Sequence, residues 1–309
     1  MIEPKETDRF IPQAAHRHRL LTINRYNMEP IRRRMILRVL FDVICIACVG
    51  LPVIILFFAA KPYQRGFYCD DQTLMHPYLS NTIPTWVAGF VGIVLPCVTI
   101  LVIEGLKAFK SHVTLYHFIG TVYKLVIPFF FGAGLCQLTT DIAKYTVGRL
   151  RPHFLTVCQP DAAVCAINSG YITDDICKGT DSAAIEEARL SFPSGHSSIS
   201  FYCMIWLMAY IQFKFTWKRY WLVRPVFQAI AFFLAYYTAL SRISDYMHHW
   251  SDVLSGAIIG SVISLLNIFF MSNLLPWRKN KCQDCSTSLP LYNRPVVRDT
   301  PSTDPAMPV

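Results

Sequence analysis

Six apolar stretches, at approximately 37–60, 85–104, 116–142, 194–213, 224–241 and 253–276, constrain this chain more than any other feature. Each is long enough, with its flanks, to be read as a crossing of roughly 20 residues. The last is the clearest, because Val253 to Trp277 contains no ionisable side chain. The fifth is the shortest, lying between Pro225 and Ser241, and the third carries Lys124. A backbone in lipid must satisfy its own hydrogen bonds. Uninterrupted apolar runs do so as helices, whereas barrel strands alternate and are about half as long. With 53% of its 309 residues apolar and 16% charged, the chain belongs to the membrane class. The expected fold is all-α, a polytopic membrane protein with six transmembrane helices.

A formal charge of +9 raises the question of nucleic acid, and the placement of the cations answers it. Arg32, Arg33 and Arg34 precede the first stretch with Arg38 at its very start, and Lys107 and Lys110 follow the second. Lys214, Lys218 and Arg219 follow the fourth, and Arg278, Lys279 and Lys281 the sixth. These are alternate loops, so the basic charge reads as topology rather than nucleic-acid binding, with both termini cytosolic. The first apolar run starts too late and is too long for a cleaved signal, so it is expected to remain as an anchor. The organisation is then a cytosolic N-terminal segment over 1–36, a six-helix domain over 37–276, and a cytosolic tail over 277–309. That tail is rich in Ser, Thr and Pro and reads as disordered.

The complementary loops, 61–84, about 143–193 and 242–252, face outside or a lumen. Four of the eleven cysteines lie there, Cys69, Cys158, Cys165 and Cys177. In an oxidising space they form two disulfides, with three pairings open. Cys45, Cys48, Cys97, Cys136 and Cys203 fall in spans and read as small apolar fillers. Cys282 and Cys285 suit palmitoylation or free thiols better than zinc, since no second ligand pair is near. Gly256 and Gly260 suit close helix packing inside the fold, with a homo-oligomer as the alternative.

Three polar clusters lie on that same outer side: Lys144 to Pro152, Pro193-Ser194-Gly195-His196, and Ser241 to Asp252. In the first, Lys144 and Arg151 are two helical turns apart and would share a face if the helix continued. Pro152 disfavours helix at Arg151 and would turn its guanidinium toward a ligand. By itself this is equally a cationic anchor at the membrane edge. In the second, Pro193 and Ser194 suit a helix start, and Gly195 allows close approach to free amides that attract an anion. His196 sits in that first turn, and alone the tetrapeptide reads as a capped helix. In the third, Arg242 follows the fifth span, and His248 is four residues from Asp252. If both lie on one helical face, the carboxylate takes the Nδ1 proton and leaves Nε2 as a nucleophile. His249 with Asp252, or His248 with Asp245, would serve as well. Ionisable groups crowded beside spans tend to be functional rather than decorative.

Lys-x6-Arg-Pro, Pro-Ser-Gly-His and Ser-Arg-x5-His-x3-Asp, in this order, resemble the three signature motifs of the type 2 phosphatidic acid phosphatase superfamily. Six spans with both termini inside look like its lipid phosphate phosphatase branch. The resemblance covers approximately 37–276, matches at every motif position, and favours His248 over His249. It implies a magnesium-independent phosphatase, with no cofactor and no metal, acting on phosphatidate, lysophosphatidate, sphingosine 1-phosphate and ceramide 1-phosphate in the bilayer. It further implies that Lys144, Arg151, Arg242, Ser194 and Gly195 bind the phosphoryl group, and that His248 forms a phosphohistidine with Asp252 orienting it. His196 would serve as acid and then base. The expected address is the plasma membrane, with endoplasmic reticulum or Golgi membranes as alternatives. Relatives often carry an N-glycan in the large outer loop, yet this chain has no Asn-x-Ser/Thr. A phosphotransferase would share the phosphohistidine, a non-enzymatic member would lack part of the motifs, and a transporter would place its polar groups near the bilayer midplane.

Overall fold

The structure, a computed structural model, describes residues 13–167, 170–215, 221–272 and 274. Lys218, Arg219, Arg278, Lys279, Lys281, Cys282, Cys285 and the tail from Ser286 lie outside the described residues. Among those described there is no strand, only the isolated bridges Phe67 to Ile172 and Pro160 to Cys177. The helices are α1 (Gln13–Ala59), α2 (Thr85–Lys110), α3 (Leu115–Val147), α4 (Phe154–Cys158), α5 (Ala162–Ile167), α6 (Ser182–Glu187), α7 (Gly195–Lys214), α8 (Val223–Ser244) and α9 (Trp250–Leu266). A five-residue π-helical turn, Asn267–Met271, extends α9.

Five segments are long and apolar enough to cross a membrane: Arg32–Ala59, Thr85–Lys110, Leu115–Val147, Val223–Ser244 and Trp250–Met271. The stretch expected as the fourth crossing does form a helix, α7, but its composition falls short of that standard. Its surroundings explain why. α7 packs against α9, α8, α2 and α3, and it buries Ser197, Ser198, Ser200, Tyr202, Trp206 and Tyr210 along its length. A helix wrapped by other helices meets side chains rather than lipid, so its polar groups are satisfied by neighbours. α1 is the opposite case. Among its described side chains only Val49 is buried, and its face is almost wholly available to lipid. α1 also begins well before residue 37, because charged helix formers continue a helix beyond the apolar run that marks the crossing.

The interior hydrogen bonds set how these helices meet. Tyr202 donates to the Phe129 carbonyl at 2.8 Å, Trp206 to Asn267 Oδ1 at 3.1 Å, and Asn267 Nδ2 to the Pro128 carbonyl at 2.7 Å. Bonds of this kind contribute only about 0.6 kcal/mol each within membranes, so their main effect is to fix register. Close approach does the rest. A Cβ at Gly256 would lie 2.4 Å from the Ser194 carbonyl oxygen, and one at Gly260 would lie 2.1 Å from that of Ser198. The small-residue pair of α9 therefore packs intramolecularly against the first turns of α7.

At the end of the bundle where α7 and α9 begin, the loops form a second apolar cluster from Phe67, Leu74, Leu150, Phe154, Leu155, Cys158 and Ala188. Disulfides Cys69–Cys165 and Cys158–Cys177 staple it, which selects one of the three open pairings.

Candidate active site

Lys144 occupies the last turn of α3. The helix stops three residues later, before Pro152 can act on it, because Gly148 adopts a left-handed conformation (φ 55°) and returns its amide to the Lys144 carbonyl at 3.1 Å. A Cβ there would lie 2.2 Å from the Tyr63 carbonyl oxygen, so only glycine fits. Lys144 and Arg151 consequently do not share a helical face, as a continuing helix would have required. Arg151 instead lies on an extended segment laced to the chain entering α7: its amide bonds to the Ala188 carbonyl at 2.8 Å, and the Ser191 amide bonds to the Arg149 carbonyl at 2.9 Å.

Ser194 caps α7, and its amide bonds to the Asp252 carbonyl at 3.0 Å. This ties the first turns of α7 and α9 together. The amides of Gly195, His196 and Ser197 lie in the first turn of α7 and have no intrahelical acceptor. The Lys144 ammonium stands beside them, 3.4 Å from where a Gly195 Cβ would be. His196 is half-buried, its Nε2 is 3.2 Å from the Ile83 carbonyl oxygen, and its charged neighbours are Arg242, Lys144 and Arg151.

His248 is 4% exposed and lies in the turn between α8 and α9. Its Nδ1 is 2.7 Å from the Ser191 carbonyl oxygen. A carbonyl can only accept, so Nδ1 carries the proton and the Nε2 of a neutral ring carries the lone pair. Burial, and then the nearby Arg151 and Lys144 cations, push the His248 pKa well below the usual 6.5. The ring is therefore held neutral beside two cations.

Asp252 does not bond to His248. α9 starts at Trp250 with His249 as its N-cap, so His248 precedes the helix and the four-residue helical spacing does not apply to it. Asp252, fully buried, instead takes Arg149 Nη1 at 2.5 Å, Ser191 Oγ at 2.6 Å and the His249 amide at 3.1 Å. Among the described residues it reaches His248 indirectly, through Ser191, whose hydroxyl it holds and whose carbonyl holds the ring, and through the adjoining His249 amide. Asp245 is engaged elsewhere too. It receives Arg242 Nη2 at 2.7 Å, the Thr82 amide at 2.8 Å and the Thr82 hydroxyl at 2.6 Å. His249 Nε2 faces the Leu150 carbonyl oxygen at 3.1 Å.

The cations differ in what they have left to offer. Arg242 is 1% exposed and committed to Asp245, to Ser241, and to Asn81 Oδ1 at 2.8 Å. Arg151 pairs with the exposed Glu187 at 3.1 Å, and its buried Nε has no partner. Lys144 has no hydrogen bond or ion pair among the described residues. An unpaired ammonium, an orphan guanidinium N–H and a set of free helix amides converge here, next to an imidazole lone pair. That arrangement can bind an oxyanion and attack its central atom.

Several contributors gave no signal in the sequence. Loop 61–84 provides Asn81, Thr82 and the Ile83 carbonyl, which hold Arg242, Asp245 and His196 in turn. Ser191 and Arg149, which no spacing singled out, hold Asp252. Only the shared side of the loops hinted at their meeting.

The sequence profile described as PAP2 superfamily matches residues 125–275, which contain all three polar clusters. Phospholipid phosphatase 1 of Rattus norvegicus is 43% identical over 267 residues, covering 81% of this chain and 92% of its own. Phospholipid phosphatase 2 of the same species is 39% identical over 254 residues, covering 80% and 90%. No solved structure matches. Such identity, over most of both chains and through the whole site, makes this chain a member of the PAP2 superfamily, within its lipid phosphate phosphatase branch.

Proposed function

We propose that this membrane enzyme hydrolyses lipid phosphomonoesters, namely phosphatidate, lysophosphatidate, sphingosine 1-phosphate and ceramide 1-phosphate, through a phosphohistidine at His248 and without magnesium. The observation that carries the reading is the buried His248, with Nδ1 donating to the Ser191 carbonyl so that Nε2 carries the lone pair, and with the Lys144 and Arg151 cations near the ring. Lys144, Arg151, Arg242, Ser194 and the Gly195 amide bind the phosphoryl oxygens. Charge in the transition state spreads over three equatorial oxygens, and fixed cations stabilise it without reorganising.

In the first step the Nε2 lone pair forms the N–P bond while the bond from phosphorus to the lipid oxygen breaks. His196, with Nε2–H held by the Ile83 carbonyl, gives its Nδ1 proton to the departing alkoxide. In the second step His196 takes a proton from water, whose oxygen attacks phosphorus, and the N–P bond breaks to release phosphate and restore His248. Asp252 contributes to orientation through Ser191 rather than by touching the imidazole.

Membrane placement follows the same reading. Six helices cross, α7 among them, both termini are cytosolic, and the site opens outside or into a lumen, at the plasma membrane in the first instance. Alternating basic flanks support this, and two disulfides at the site's end suit an oxidising space.

Purified protein in mixed micelles should release phosphate from these lipids in excess EDTA, and rapid quenching should trap an acid-labile, base-stable phosphoenzyme. No release from any of the lipids, or release restored only by magnesium, overturns the reading. In intact cells, a membrane-impermeant thiol reagent should reach a cysteine placed at position 160 but not one placed at position 216, which lies outside the described residues. The reverse pattern overturns the orientation.

A further inference from the structure

Asp141 is a carboxylate inside the candidate span Leu115–Val147, one turn before Lys144. It is half-buried and forms no ion pair among the described residues. Both of its oxygens accept from the Gln137 amide, at 2.9 and 3.0 Å, which fixes their direction. Residues 137, 141 and 144 are spaced four and three apart and so share one face of α3. Lys144 one turn on attracts it without pairing, and an acidic group kept in a span marks a functional site by default. Neither the phosphoryl chemistry nor the helix packing described above uses it.

Position suggests a use. Lys144 reaches the free amides of α7, where the phosphoryl group is proposed to sit, and Asp141 lies about 4.5 Å further along the helix axis, deeper in the bilayer. In a lipid phosphomonoester the carbon carrying the ester oxygen is followed by a carbon that bears an amine, a hydroxyl or an acyl ester. That substituent is a few ångströms from phosphorus, on the membrane side. Resting on the proposed function, we infer that Asp141, oriented by Gln137, determines specificity at this carbon, favouring lipid phosphates with a protonated amine or free hydroxyl over those acylated there. The order Lys144 then Asp141 complements a zwitterion, with phosphate on one side and ammonium on the other. A charge-assisted bond to the ammonium is the stronger of the two contacts, and a bond to a neutral hydroxyl the weaker.

The test compares kcat/KM for sphingosine 1-phosphate, lysophosphatidate and phosphatidate in mixed micelles, using wild type, Asp141→Asn, Asp141→Ala and Asp141→Glu. Asn keeps an acceptor but loses the charge. It should lower the sphingosine 1-phosphate value about tenfold or more, and leave the other two within about threefold. Ala loses the acceptor as well and should also lower lysophosphatidate, with phosphatidate still within about threefold. Glu should restore part of the preference for the amine. Equal loss on all three lipids would mean that Asp141 merely supports Lys144 or the helix, and no change on any would mean that it reads nothing; either result overturns the inference while leaving the proposed function in place. If wild type turns over none of the three, the functional reading has failed and this one goes with it.

Discussion

The turn between α8 and α9 and the first turn of α7 each set one histidine among the same cations, and they hold it in different ways. His248 is enclosed, with Nδ1 fixed by the Ser191 carbonyl on the chain that leads into α7. His196 is half-buried and leans on Ile83, a carbonyl of the loop between α1 and α2. A nucleophile gains from a fixed lone pair, since misplacement during in-line attack is costly. An acid that must later become a base needs instead to exchange its proton with leaving group and water. The division of labour is thus written in the anchoring: one ring is pinned by the chain between two motifs, the other by a separate loop.

The harshest way to break this comparison is to remove each ring in turn. His248→Ala should lower turnover of lipid and aryl phosphates alike by about 10⁴-fold or more, with no phosphoenzyme from either, because the nucleophile is needed whatever leaves. His196→Ala should cost about 10²- to 10⁴-fold with a lipid alkoxide, which departs badly without a proton. With a nitrophenyl phosphate its first step should be nearly intact, and phosphoenzyme should accumulate because the base for hydrolysis is missing. Phosphoenzyme in His248→Ala, or equal first-step losses for both leaving groups in His196→Ala, would erase the distinction.

A milder change sharpens the comparison by asking how the pinned ring is held. A carboxylate bonded directly to a catalytic histidine is worth about 10⁴-fold when converted to its amide. Here Asp252 acts one residue removed, through Ser191, so Asp252→Asn should cost about 10²-fold or less in kcat. Ser191→Ala, which keeps the carbonyl and loses only the hydroxyl bond to Asp252, should cost about tenfold or less. Because Asp252 also neutralises Arg149, thermal stability is read alongside. A 10⁴-fold loss in a stably folded Asp252→Asn would mean that the carboxylate reaches His248 directly during turnover.

How far the sequence could anticipate this site depends on whether a feature is local. The polar clusters, their common side and the anion-binding start of α7 are local or topological, and hydropathy with charge sufficed to read them. The proposed crossing by α7 rests on an apolar run alone, since hydropathy reports contact with lipid, and α7 touches helices instead. The direct contact of Asp252 with His248 does not form, because a four-residue spacing implies contact only when both residues are in the helix, and His248 is one residue outside its cap. Ser191 and Asn81 carried no pattern at all. Each becomes functional through a partner 57 or more positions away, His248 for the Ser191 carbonyl and Arg242 for Asn81.

The smallest expected effect concerns acid. Burial and nearby cations lower the His248 pKa well below 6.5, so the folded chain resists a proton that the unfolded chain accepts. The sign follows directly: the stability tied to neutral His248 is fully present above about pH 6.5, the unfolded value, and is lost as pH falls from there toward the lower folded value. His153 and His249 are also lowered, chiefly by burial, and act in the same direction. In detergent, the wild-type Tm should therefore drop on going from about pH 7.5 to pH 5. His248→Gln removes one of several contributors, so its drop should be smaller by a few degrees. The activity profile offers a second reading of the same ring. Because the free enzyme keeps His248 unprotonated, the acid limb of kcat/KM due to the nucleophile should lie below about pH 6.5. A Tm that responds to acid identically in wild type and His248→Gln, together with an acid limb above that value, would mean that the enclosed ring is not held neutral, and the contrast between the two histidines would lose its physical basis.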